Sequence, residues 1–180
     1  MSNVLGKFKE WHKKMLFMPN SEIIVCFCHQ PPYAPKESIY DVNHNVFRLT
    51  AYNQIIWQVQ RDDSNHPPGW WDTLNHHARQ DGLDGARCPF TDIALKYPSG
   101  EKPINTKPAN LIDEHEEESD DENELFWTPG CYIWLEGSAH QQYILDPNTG
   151  IAKNVTPAAA AVRSSQQPGN NPSTRGQPLF

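Results

Sequence analysis

Residues 131–155 read CYIWLEGSAHQQYILDPNTGIAKNV, and this stretch decides the fold. Residues 131–136 (CYIWLE) and 141–145 (QQYIL) are short runs rich in β-branched and aromatic side chains, the composition of strands. The EGSAH stretch between them suits a hairpin loop. Asp146-Pro147-Asn148-Thr149-Gly150 then has the residues of a tight turn, and it leads into a short last strand at IAKNV. Strands joined by connections this short belong to a mostly antiparallel sheet.

Working outward, residues 46–50 (VFRLT) and 54–61 (QIIWQVQR) read as two more strands. In the second, Ile55, Trp57 and Val59 alternate with Ile56, Gln58 and Gln60. Residues 22–29 (EIIVCFCH) form an apolar run with the character of a buried strand, and the PPYAP stretch after it is a loop. Residues 90–97 (FTDIALKY) fit either a strand or a short helix. A helix is expected near the start, because Val4, Phe8, Trp11 and Met15 recur at helical period, with Leu5, His12 and Leu16 widening the stripe and Pro19 ending it. A second helix is expected from Gly69 to Gln80. Pro68 stands at its start, Gly82 is its C-terminal cap, and Trp71, Leu74 and Ala78 share its inner face. The expected architecture is one α+β domain over residues 3–156, with a mostly antiparallel sheet carrying two helices.

The low apolar content, 37 %, is unevenly spread. It is concentrated in a long loop over 98–124 and in residues 157–180, both with the composition of disordered chain. Residues 113–124 (DEHEEESDDENE) hold nine of the 22 acids and no lysine or arginine, so the remaining 13 acids face 15 bases. The net charge of −7 therefore belongs to one segment, and the rest is close to neutral. No basic stripe points to nucleic acid. No apolar run approaches the ~20 residues that span a bilayer, and the N-terminal lysines interrupt the apolar block that a secretory signal needs. The expected location is therefore cytoplasmic, with Cys26, Cys28, Cys88 and Cys131 as reduced thiols.

Three groups of residues are candidates for chemistry. The first is Cys26, Cys28 and His29, with Cys88 and Cys131 as further zinc ligands. Cys-x-Cys is tighter than a usual knuckle, and on a strand His29 faces away from both thiols. The plainer reading is buried apolar cysteine, and no metal or cofactor is assigned.

The second group lies in GSAHQQYILDPNTG. This segment resembles the C-terminal part of papain-like bacterial effector and toxin peptidases, where a histidine precedes an Asp-Pro-Asn turn that supplies the third catalytic member. The resemblance implies His140 and Asp146 as that pair, with Cys26, Cys28 or Cys88 as nucleophile. Six residues of extended strand, however, set His140 and Asp146 about 20 Å apart.

The third group is HPPGWWDTLNHHARQDG. Asp72 and His76 share a helix face, and adjacent Trp70 and Trp71 cannot both point inward. With His66 and the rigid Pro67-Pro68 turn, they are the expected contact surface. The acidic run would attract a partner with a basic surface.

No glycine-rich phosphate loop, G-x-S-x-G or H-E-x-x-H is present. The expected function is a non-enzymatic protein-interaction module. The alternatives are a cysteine hydrolase and a zinc-stabilised binding module.

Overall fold

Ten strands, two α-helices and a 3-10 turn at Ser138–His140 are the elements of the described part of the chain. The structure, a computed structural model, describes residues 6, 8, 11–28, 38–108 and 123–157. In chain order the elements are β1 (His12–Phe17), β2 (Ile23–Cys28), α1 (Ile39–Asn43), β3 (Val46–Leu49), β4 (Ile55–Gln58), β5 (Gln60–Asp62) and α2 (Trp70–Gln80). They continue with β6 (Phe90–Lys96), β7 (Glu124–Phe126), β8 (Tyr132–Gly137), β9 (Gln141–Leu145) and β10 (Ile151–Asn154). Strand content dominates and helix is sparse, consistent with an α+β class.

The strands form two sheets, ordered β4-β3-β2-β1-β7 and β5-β10-β9-β8-β6, where the sequence suggested one. Neighbours are antiparallel except for β1 with β7 and β5 with β10. The division arises inside the run 54–61. After Gln58, the Val59 N–H still donates to Val46 in the first sheet (2.9 Å), but the Gln60 N–H donates to Gly150 in the second (2.9 Å). One apolar run thus supplies an edge strand to each sheet. The inner faces share one core, with Leu16, Ile24, Cys26 and Val46 from the first sheet against Phe90, Ile133, Leu135, Tyr143 and Leu145 from the second.

The turn 146–150 ties this arrangement together. The carbonyl of Pro147 accepts from Arg48 Nη1 (2.6 Å) on β3 and from Trp57 Nε1 (2.9 Å) on β4. Gly150 ends the turn at φ +76°, and a Cβ there would stand 2.8 Å from the Trp57 ring. Glycine is needed both for that backbone and for that close approach.

The N-terminal helix expected over Val4–Met15 is corrected in its described part, because His12–Phe17 is strand β1, in the interior of the first sheet. Val4 and Leu5 lie outside the described residues. Hydrogen bonding with β2 along six residue pairs overrides the local 3.6-residue pattern. The apolar stripe nevertheless identified a real group. Phe8, Trp11 and Met15 all pack on the outer face of the first sheet with Phe27 and Phe47. Phe8 stacks on Phe27 (centroids 4.8 Å) and meets Trp11 edge-on (5.0 Å).

The second helix follows expectation more closely. Gly69 at φ +78° precedes it, and Gly82 N–H to Arg79 with Leu83 N–H to Ala78 closes its end as a Schellman motif. Of residues 90–97, Phe90–Lys96 are strand β6. Helix α1, capped by Ser38 accepting from the Asp41 N–H (3.1 Å), and strand β7 were not anticipated. Residues 98–108 carry no helix or strand, although the Asn105 side chain bonds Glu124 O (2.7 Å) and Phe126 N (2.9 Å). The acidic residues 113–122 and the tail from 158 lie outside the described residues.

Two buried asparagines seam β3 and its approach to the 86–90 segment. Asn43 donates to Ala86 O (3.0 Å) and accepts from Cys88 N (2.6 Å). Asn45, fully buried, accepts from Phe90 N (2.9 Å) and donates to Phe90 O (2.7 Å) and Phe27 O. Each amide stands in for a peptide group of a missing strand, which satisfies backbone groups that water cannot reach. Asn45→Ala should leave these partners unpaired and cost about 2–4 kcal/mol, at ~1–3 kcal/mol for each stranded group after partial relaxation. Urea unfolding monitored by tryptophan fluorescence measures it; a loss under ~1 kcal/mol would show that the seam is dispensable.

Candidate functional site

Strand β5 brings Arg61 opposite Ala152 of β10, and its side chain runs into the core rather than out to solvent. Only 3 % of that side chain is exposed. Its guanidinium lies among the rings of Phe90 (4.8 Å), Tyr143 (4.9 Å) and Trp71 (5.4 Å). It donates to the carbonyl of Cys88 and to the hydroxyl of Tyr143, and Nε stands 3.3 Å from Asp63 Oδ2. That last contact is an ion pair without a well-directed hydrogen bond, since Nε itself has no aligned acceptor.

Asp63 follows β5 and is 11 % exposed. Its carboxylate accepts from Trp71 Nε1 (3.0 Å) and from the Tyr143 hydroxyl (2.8 Å). The amide oxygen of Gln141 is also near that hydroxyl (2.7 Å), but the charged carboxylate is the stronger acceptor for its single proton. Burial raises the Tyr143 pKa, so the phenol stays protonated and serves as a bridge between the ions. One arginine, one carboxylate and one phenol therefore join β5, the following loop, α2 and β9.

The outer layer lies beside this carboxylate. His66 Nε2 is 3.7 Å from Asp63 Oδ1, and its side chain is only 4 % exposed. Asn154 turns its Oδ1 to the N–H of Thr156 (2.8 Å), so its NH2 faces His66 Nε2 (2.9 Å). That nitrogen must then be a lone pair, which makes His66 the neutral tautomer with its proton on Nδ1. Burial lowers the His66 pKa and agrees with this assignment, while Asp63 pulls it the other way. On the neutral ring lies Trp70, stacked at 3.8 Å with planes 4° apart, and Trp70 meets Trp71 edge-on at 4.9 Å. The turn before α2 is closed by Trp70 N–H donating to Pro67 O (3.1 Å).

The residues singled out from sequence therefore divide. His66 and Trp71 are inside the network, as supports. Trp70 is half-buried on top of it, and Asp72 and His76 are exposed on α2, with no ion pair joining them. His140 and Asp146 occupy opposite ends of β9. His140, with 95 % of its side chain exposed, contacts Glu136 (3.1 Å). Asp146 accepts from Asn148 N (2.9 Å) and Thr149 Oγ1 (2.8 Å) within its own turn. Cys26 faces Phe90 O and Cys28, and Cys88 lies by the Arg61 network, so no thiol joins that histidine and aspartate. Among the described residues no three His, Cys, Asp or Glu side chains converge as a metal site. A shallow hollow of about 100 Å³ on the outer face of the second sheet, between Lys96, Lys102, Trp134 and Gln142, is far below the ~300–1,000 Å³ of small-molecule pockets.

Arg61, Asp63, Tyr143, Gln141 and Asn154 went unnoticed in the sequence. One signal was present: the alternation Ile55, Trp57, Val59 places Arg61 next on the inward face. A charged residue ending an apolar series gives no sign of its partner, however, and nothing local chooses Asp63 over Asp62.

Arg61→Ala should strand the Asp63 carboxylate and cost about 3–5 kcal/mol in urea unfolding. The network also predicts a pH dependence. His66 and His44 both have pKa values lowered by burial, so the folded state binds fewer protons than the unfolded chain. Stability should be full above the unfolded histidine value of about 6.5 and decline as pH falls below it. His66→Gln should flatten that decline without abolishing it, because His44 remains; an unchanged slope would assign the effect elsewhere. Comparison with protein-family models, with curated proteins and with solved structures found no match for this chain.

Proposed function

We propose that the chain is a non-enzymatic protein-interaction module whose contact surface is the start and outer face of α2. The observation that supports this reading is the clamping of Trp70. Below it lies His66, beside it Trp71, and before it the Pro67-Pro68-Gly69 turn. An aromatic ring fixed before binding loses little conformational entropy on contact, and tryptophan is among the residues enriched at interface hot spots. Asp72 and His76 flank it with polar rim groups. Acidic residues 113–124 give the partner its expected character, a basic surface drawn in electrostatically.

Trp70→Ala tests the reading, because the ring is partly exposed and its removal spares the Arg61–Asp63 pair. Affinity capture from the native source, quantified against the wild type, should show the specific partner lost, equivalent to about 30-fold or more in affinity for a hot-spot residue. Circular dichroism should be unchanged. Recovery of the same partners by both proteins would overturn the assignment of this surface. Deleting residues 113–124 should slow association and remove its salt dependence.

A further inference from the structure

Two thiols lie together on the face of β2 that meets the other sheet. Cys26 and Cys28 alternate on β2 and face the same way, with their sulfurs 3.9 Å apart. Cys26 is fully buried in the shared core, whereas Cys28, the last residue of the strand, is partly exposed. The register puts Lys14 opposite Cys26 and His12 opposite Cys28 on β1. From β6 of the other sheet Asp92 reaches in and pairs with Lys14 Nζ (2.7 Å). His12 is held by Asn123 (2.7 Å). The pair therefore has one sulfur partly open to reagents, a second directly behind it, and the Lys14–Asp92 ion pair nearby.

We propose that Cys26 and Cys28 form a redox-active dithiol, with Cys28 as the thiol attacked first and Cys26 as the resolving thiol. The chemistry follows from the geometry. The contact between the two thiols is the largest cause that lowers the Cys28 pKa and raises that of Cys26; burial of Cys28 and the Asp92 carboxylate oppose the lowering, and Lys14 assists it. Burial raises the other two thiols, Cys88 and Cys131, so the nucleophile is singular among the four. A hydroperoxide is the class of oxidant that suits a single accessible thiolate. The Cys28 sulfur attacks the O–O bond; a sulfur–oxygen bond forms, and the departing oxygen takes a proton as water or alcohol. Cys26 then attacks the sulfenic sulfur, the S–S bond forms, and the hydroxyl leaves as water. Two thiols are oxidised by two electrons and one peroxide is reduced.

The strand limits how stable the product is. Residues i and i+2 of a strand have Cα atoms about 6.6–6.8 Å apart, at the upper end of what a disulfide spans. Cys26 is also paired on both sides, with Lys14 and with Val46, so contraction must disturb the first sheet. A bridge formed under that constraint is easily reduced again, as a reversible modification requires.

The test uses the whole chain. Timed alkylation near pH 7, read by mass spectrometry, should label Cys28 about tenfold or more faster than Cys88, and the difference should vanish in urea. Stoichiometric hydrogen peroxide should remove two hydrogens from the tryptic peptide 15–36, which contains Cys26 and Cys28 and no other cysteine. In Cys26→Ala the sulfenic acid should persist on Cys28 and be trapped by dimedone. Equal alkylation rates for Cys28 and Cys88, or peroxide treatment that leaves the 15–36 peptide without its internal bridge, would overturn the proposal. Both of these measurements are made on the wild type, so they decide the matter even if Cys26→Ala does not fold.

Discussion

The guanidinium of Arg61 is a charge withdrawn from water, and a large part of the molecule is arranged around that withdrawal. An isolated buried cation is too costly to persist. Here the compensation comes from four directions: a carboxylate two residues on, a phenol on β9, a backbone carbonyl before β6, and three aromatic faces. Such a pair need not add net stability over apolar residues of similar size. What it supplies is geometry, because every partner must be in place for the charge to be tolerated. The loop after β5 and the first turn of α2 are thereby fixed relative to the second sheet.

The ordering extends outward in layers. Asp63 holds Trp71 and approaches His66; Asn154 sets the His66 tautomer; and His66 carries Trp70 on its face. The Trp70 ring thus rests on a histidine that Asn154 fixes, beside the Arg61–Asp63 pair. Opposite this network, Asn45 performs a related task without charge, feeding the peptide groups of Phe27 and Phe90 across the gap between the sheets. The Cys26 thiol also points at the carbonyl of Phe90 (3.9 Å), so the dithiol and the asparagine seam meet at one residue. Movement at β2 would be felt at Phe90, whose ring packs against both Tyr143 and Arg61.

Much of the fold was legible in local chemistry. The strands β8, β9 and β10 and their turns follow from alternation and turn residues, because hairpins of this length are determined by neighbours in sequence. Helix α2 followed from its proline and glycine punctuation. The N-terminal stripe shows where that method ends. Phe8, Trp11 and Met15 do belong together, but what groups them is the face of a sheet whose other strands lie further along the chain. Strand β7 was hidden for a similar reason, since its three residues, Glu124–Phe126, pair in parallel with a strand more than a hundred positions away.

What the sequence determined by itself was therefore the set of turns, the alternation within each run, and the concentration of negative charge in one segment. These depend on residues within a few positions of one another. The tertiary structure decided that one apolar run divides between two sheets, that Arg61 chooses Asp63 and Tyr143, and that Trp70 stays at the surface while Trp71 turns inward. It also decided that two of the four thiols meet. The reason is physical. Hydrogen-bonded pairing and the solvation of buried charge are settled between atoms that touch, and in this chain the touching partners are often 80 or more residues apart, as Tyr143 is from Asp63.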